Sequence, residues 1–346
     1  MPERGEAELA LASGAMSILS GRERALGVAL VVLSAFGYGS GALLAKPIYE
    51  AGVDWMTLLA WRFLFGALAS WGWLLIWPAQ RRALRSLSRR RVFLLILLGV
   101  FFIGNSGTYF AALETVDASL AALIVYIFPA IVAVITIRFG RRLEGRRAWS
   151  ALALAMAGVA LAVGGIDPTK APPLHGLLLV IVSPFIYAVW IVLAARFGGE
   201  RSASADGRAS ADTAIPPHEL EGPANAEQAE AAPAAAIMIT ATAIAWWIGV
   251  LVTDRPAAPS LIPEAAWLPL VGVGVISTAL ALQTFYAGAR RIGAAQASLV
   301  STVEPIYTIT LAAMLLGETL TPVQVLGGIL VIMGVVIAQT SRGRGR

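Results

Sequence analysis

The chain has no cysteine. Disulfides, thiolate metal sites and cysteine nucleophiles are excluded with it. Histidine is nearly missing too: only His175 and His218 occur, and both fall outside the apolar runs. Any buried site must therefore do without the commonest general base and metal ligand. Charge is the third scarcity. Charged residues make up 14% of the 346 residues against 58% hydrophobic, where a soluble domain carries about 25% charged residues. Most of this surface is not built to meet water, so its solvent is lipid. No cofactor is implied, and the +5 net charge does not point to nucleic acid, because its distribution has a topological meaning.

What is present is a series of apolar runs. A helix needs roughly 20 apolar residues to cross the hydrocarbon core. Runs of about that length begin near Leu26, Trp55, Val92, Ser119, Arg147, Gly176, Ala235, Trp267, Ala295 and Pro322. Backbone polar groups at that depth must be satisfied internally, so the runs predict helices; barrel strands would alternate and be half as long. The predicted fold class is an all-α integral membrane protein of ten transmembrane helices.

The N-terminus does not read as a cleaved signal. Glu3, Glu6 and Glu8 occupy the place of a basic n-region, and Arg22 and Arg24 precede the first run. With the N-terminus inside, 22 basic residues fall on inside segments, while only Lys170 and Arg255 fall outside. The positive-inside rule then places both termini in the cytoplasm of a multi-pass plasma-membrane protein. Residues 1–25 form a cytoplasmic tail on this reading, and 341–346 a basic one. Residues 198–234 are rich in Ala, Ser, Pro and Glu without an aromatic. They bury too little apolar surface to offset ordering entropy and are expected to be a disordered cytoplasmic loop.

Internal repeats set the architecture. Thr108-Tyr109-Phe110-Ala111 recurs as Thr284-Phe285-Tyr286-Ala287, and Ser34-x-Phe36-x-Tyr38 as Ser183-x-Phe185-x-Tyr187. Pro129 matches Pro305 at the offset of the first pair. Each half, 26–166 and 175–340, then holds five helices. Five is odd, so the second half enters from the opposite side. Inverted repeats of this kind belong to secondary transporters with a midplane solute site.

Glu304-Pro305, Leu316-Gly317-Glu318-x-Leu320 and the Gly-rich last run resemble the EamA family of the drug/metabolite transporter superfamily. Trp61-Arg62-Phe63 and Ala118-Ser119 leading to Pro129 match in the first half. The resemblance implies ten helices in two inverted repeats, exporting amino acids or related metabolites. Two positions depart from symmetry: Arg141 stands where the second half has Glu318, and Phe128 stands opposite Glu304.

Glu304 is the sharpest candidate, about nine residues into its run. A charge at midplane costs roughly 2.5–3.5 kcal/mol on insertion scales, and burial penalises the ionised form. It reads as a coupling acid or as a protonated packing acid. Helical spacing puts Ser301 and Thr308 on its face. Pro305 cannot donate to the Ser301 carbonyl, so a kink with a free acceptor is expected. Arg62 lies roughly 12 Å into its span by helical rise. It binds a substrate carboxylate, or it snorkels or pairs with Asp54 or Glu50.

Asn105 and Gln283 are buried amides, more often used between helices than on ligands. Tyr38 and Tyr187 complete the candidate set. Lys46 reads as an outer anchor. Trp55, Trp77, Trp149 and Trp267 read as interface belts. Gly37-x-x-x-Gly41 suggests close helix packing, and Thr321-Pro322-x-Gln324 a capping box. The partners on this reading are a small-molecule substrate and the bilayer, with monomer and homodimer both open. A membrane-embedded enzyme lacks a nucleophile–base pair here. A channel would show a ring of identical groups, and a non-transporting scaffold has no use for a midplane acid.

Overall fold

The computed structural model describes residues 3–137, 145–165, 171–197, 231–292, 297 and 300–340. Among them the chain is helical, with no strand. The first half runs through α1 (Glu3–Glu50), α2 (Trp55–Ile76), a short α3 (Pro78–Ser86), α4 (Arg89–Leu113), α5 (Ala118–Val125), α6 (Phe128–Ile137) and α7 (Gly145–Gly164). After it come α8 (Leu174–Phe197), α9 (Ala231–Val252) and α10 (Glu264–Gly274). A π-turn at Val275–Leu280 joins α10 to α11 (Ala281–Ile292). The chain finishes with α12 (Val303–Leu316) and α13 (Pro322–Thr340).

The helix ends follow local chemistry. Asp54 accepts from the Met56 and Thr57 amides at 3.0 and 3.3 Å and starts α2. Ser88 accepts from Arg91 N and starts α4. Thr321 and Gln324 form the expected reciprocal box, Thr321 N to Gln324 Oε1 at 2.8 Å and Gln324 N to Thr321 Oγ1 at 3.3 Å. Gly317 ends α12 at φ 66°, a left-handed conformation that costs a side-chain-bearing residue far more than glycine.

Among the described residues, six helical stretches are long and apolar enough to cross a membrane: Arg22–Glu50, Trp55–Ile76, Arg89–Leu113, Leu174–Leu193, Ala232–Val252 and Glu264–Phe285. The other four apolar runs give shorter helices, Ala118–Val132, Trp149–Val163, Val303–Leu316 and Pro322–Ile337. Leu268, Leu251 and Met314 project outward with many other large apolar side chains. That belt would aggregate in water. The protein is a multi-pass membrane protein.

Several boundaries differ from the sequence expectation. The segment assigned to the N-terminal tail, 1–25, is continuous with α1 from Glu3. Most of the 198–234 loop and all of 341–346 lie outside the described residues, and α9 already begins at Ala231. The fourth and ninth runs are each interrupted. Tyr126–Ile127 separates α5 from α6, and Ser301–Thr302 precedes α12. Pro129 and Pro305 thereby sit in first turns, where the missing N–H has no intrahelical use. The helix restarts at Val303, two residues before Pro305, where a kink was expected.

α7 packs along α13, α1 along α11 and the π-turn, α4 along α8, and α2 along α9. Small residues bring the backbones together. A Cβ on Gly158 would meet the Gly327 carbonyl oxygen at 2.5 Å, and one on Gly334 would meet the Ala151 carbonyl oxygen at 2.7 Å. Gly37 and Gly41 do face a neighbour closely, the π-turn at Ile276 and Ser277. Trp77 and Trp149 are exposed as belt residues should be. Trp55 and Trp267 turn inward, Trp55 onto Trp246 and Trp267 onto Trp61 at 4.9 Å, because ring-edge contacts there outcompete the interface.

Candidate functional site

The helices leave a cavity of about 130 Å³ at the middle of the bundle. Tyr38 reaches it from α1, Arg62 from α2, Asn105 and Tyr109 from α4, Tyr187 from α8 and Glu304 from α12. A smaller chamber of about 30 Å³ adjoins it, walled by Tyr126, Glu304, Pro305 and Thr308 and sharing Tyr38 and Tyr109. That volume suits a single water.

Glu304 stands in the first turn of α12. Its amide donates to the Ser301 carbonyl at 3.0 Å. Its carboxylate has no hydrogen-bond or ion-pair partner among the described residues. The helix N-terminus favours its anion, while the apolar surroundings favour the neutral acid.

The Ser301 carbonyl, expected to be free, is used twice. It also accepts the Tyr126 hydroxyl across the bundle. The Ser301 hydroxyl donates to Ala297 O at 2.9 Å, and the residue lines neither chamber. The helix interruption at Ser301–Thr302 removes the shared helical face on which the stripe was predicted. Thr308 does line the small chamber, its hydroxyl 3.0 Å from Glu304 O and 3.3 Å from Gly39 O.

Arg62 neither snorkels nor pairs with Asp54 or Glu50. Asp54 is committed to capping α2, with Thr57 Oγ1 as a further donor at 2.8 Å. The Arg62 Nε donates to Thr278 Oγ1 at 3.0 Å, and the guanidinium lies 4.4 Å from the Phe110 ring centre. Tyr109 lines the same cavity as Arg62 and Glu304.

Asn105 lines the cavity while its Oδ1 accepts from Ser183 at 3.0 Å. Gln283 lines neither chamber, and its buried Nε2 has no hydrogen-bond partner among the described residues. Lys46 is not an outer anchor. Its ammonium donates to Leu113 O at 2.9 Å and Val116 O at 2.6 Å, closing the C-terminal end of α4. Glu318 accepts from the Ala118 and Ser119 amides at 2.9 and 2.8 Å and so caps α5. Arg141, its counterpart by repeat, lies outside the described residues.

A model of the EamA-like transporter family matches residues 25–164 and 226–340. The chain belongs to the EamA-like transporter family. An uncharacterized transporter of Archaeoglobus fulgidus is 25% identical over 319 residues, covering 90% of this chain and 96% of that relative. Among solved structures, one titled only as the crystal structure of a protein aligns at a TM-score of 0.57 with 18% identity, over 90% of this chain and 96% of its own. That likeness concerns the fold. Family and relative point to a membrane transporter and away from an enzyme.

In this EamA-like transporter the cavity is polarised. Tyr38 and Tyr187, which share a Ser-x-Phe-x-Tyr sequence pattern, line the same space. Glu304 adjoins Tyr38 in the small chamber, while Phe128, opposite it by repeat, packs on Tyr187 at 4.7 Å. Sequence reasoning missed Tyr109, Tyr126 and Thr278 as site residues. Tyr109 carried one signal, since its repeat partner is Phe285, so the repeats differ there by a hydroxyl.

Proposed function

We propose that this EamA-like transporter is a secondary transporter exporting amino acids or related small metabolites by alternating access, with Glu304 as a proton-coupling acid. The carrying observation is the cavity, where a carboxylate from one half and a guanidinium from the other, neither with an ion-pair partner among the described residues, face a single space. An acid whose charge depends on water access is suited to hold a proton when closed and release it when open.

The ten apolar runs are read as ten spans in two inverted halves, with both termini cytoplasmic. Matched contacts support that reading. Ser34 donates to Ala281 O at 2.7 Å and Ser183 to Asn105 Oδ1 at 3.0 Å. Ser34 matches Ser183 by the Ser-x-Phe-x-Tyr repeat, and Asn105 matches Ala281 by the offset of the Thr108 and Thr284 blocks. The Gly158–Gly327 approach likewise exchanges with Gly334–Ala151 at that offset. A two-fold relation between halves produces such pairs, and rocking about its axis exposes the cavity to either side in turn.

The test is solute flux in proteoliposomes with and without an imposed pH gradient. Glu304→Gln keeps size and polarity but cannot titrate, so exchange persists while gradient-driven accumulation disappears. A Gln variant that still concentrates solute in response to the gradient would overturn the coupling role.

A further inference from the structure

We propose that Arg62 is a preset subsite for a planar oxyanion, the carboxylate of a substrate, and that Thr278 is the positioning residue that keeps it ready; this rests on the transporter reading. A guanidinium carries five N–H donors in a rigid fork. Thr278 takes the Nε–H at 3.0 Å. The four N–H groups on the two Nη atoms have no acceptor among the described residues, and the side chain lines the cavity. Leaving four donors without acceptors is costly in an apolar bundle. The two Nη atoms offer the geometry of a bidentate carboxylate bond.

The guanidinium is also held in orientation. Phe110 lies 4.4 Å from its central carbon and Phe63 5.4 Å, so ring faces restrict its swing. The guanidinium can only donate, and Thr278's own hydroxyl hydrogen goes to the Val273 carbonyl at 3.1 Å, which leaves its oxygen lone pair to accept from Arg62.

Thr278 belongs to the π-turn Val275–Leu280, and π-turns inside helices are frequent at functional sites. The same turn puts Ser277 on the cavity wall and receives Gly37 and Gly41 of α1. The turn thus joins α1, α2 and the second half beside Arg62 on the cavity wall. Glu304 lines the same cavity and the small chamber that adjoins it.

The experiment reads Arg62 directly. Purified full-length protein is treated with methylglyoxal, and modification of the Arg62 peptide is followed by mass spectrometry with acetate or neutral, isosteric acetamide present. Acetate slows modification roughly threefold or more and acetamide does not, because only the anion fills both Nη positions. In Thr278→Val the acetate protection is lost while the thermal melt stays within a few degrees, and Thr278→Ser restores it. In vesicles Thr278→Val raises the KM of a carboxylate-bearing solute more than it lowers the maximal rate. Equal protection by acetate and acetamide, or none, overturns the subsite. Undiminished protection in Thr278→Val overturns the positioning role. Protection without any flux in vesicles supports the subsite and counts against the transporter reading, so the two fail separately.

Discussion

Tyr126 donates its phenolic hydrogen to the Ser301 carbonyl, and so ties the break between α5 and α6 to the break before α12. The two broken helices meet where Glu304 enters the cavity. It is one of several bonds between the halves, beside Ser34 to Ala281 O, Arg62 to Thr278 and the Ala118 amide to Glu318.

Tyr126→Phe therefore keeps the ring and removes the tie. A hydrogen bond of about 0.5–1.5 kcal/mol shifts an open–closed equilibrium by roughly 2- to 13-fold. The variant is expected to fold with a nearly unchanged melting temperature and to exchange solute at an altered rate. Unaltered exchange across a range of solute concentrations would show that the tie plays no part in opening.

Glu318 and Lys46 are expected to behave as structural residues despite their charge. Glu318→Ala removes two bonds at the start of α5 and costs about 1–2 kcal/mol, as lost helix caps do. Lys46→Met strands the Leu113 and Val116 carbonyls and costs about 1–3 kcal/mol. Thermal unfolding in detergent checks both. Loss of solute binding at unchanged stability in either variant would move that residue into the site.

The α7–α13 crossing predicts a sharp contrast between glycines. Gly158→Ala places a Cβ 2.5 Å from the Gly327 oxygen, so the helices must part, at about 1–3 kcal/mol. Gly72→Ala in α2 meets nothing within 4 Å and is expected to stabilise by about 0.4–1 kcal/mol. Melting curves of the two variants in the same detergent decide it; shifts of the same sign would show that the crossing is not close.

Glu114, just beyond α4, offers a pH test outside the span. Burial pushes its carboxyl above the usual range and Asp54 adds to this, while the Trp55 N–H at 2.8 Å, Arg255 and His175 oppose it. The folded protein then holds this proton more tightly than the unfolded chain. The stability it contributes is complete below the unfolded pKa, about 4.3, and is lost as pH rises through the raised value. Glu114→Gln should flatten that part of the stability–pH curve, and a curve of unchanged slope would refute the assignment.

Topology gives the fifth prediction. Reporter fusions at Arg208 and Arg346 are expected to read cytoplasmic together, as ten spans with 22 basic residues inside require. Opposite readings would reveal a miscounted span.

How much was legible depends on the range of the interaction. The Thr321–Gln324 box was readable because donor and acceptor lie within three residues, whereas Asp54, read only as a possible partner of Arg62, turned out to cap α2. Glu304 was readable as a lone acid in an apolar run, since the cost of burying it is independent of its neighbours. Lys46 was misread because nothing near it in the chain announces the Leu113 and Val116 carbonyls it caps. Ser301 was misplaced because periodicity assumes an unbroken helix, and the helix is interrupted at Ser301–Thr302.

By itself the sequence determined that this chain lives in lipid, is built of helices and carries one acid and one arginine inside its spans. Composition and run length are sums over residues, and the bilayer penalises each buried charge wherever the chain goes. The tertiary structure alone decided that Arg62 meets Thr278 across 216 residues and that the Glu304 carboxylate meets no partner among the described residues. Those outcomes depend on which helix faces which, and that is settled by close backbone approach at small residues, which no local pattern encodes.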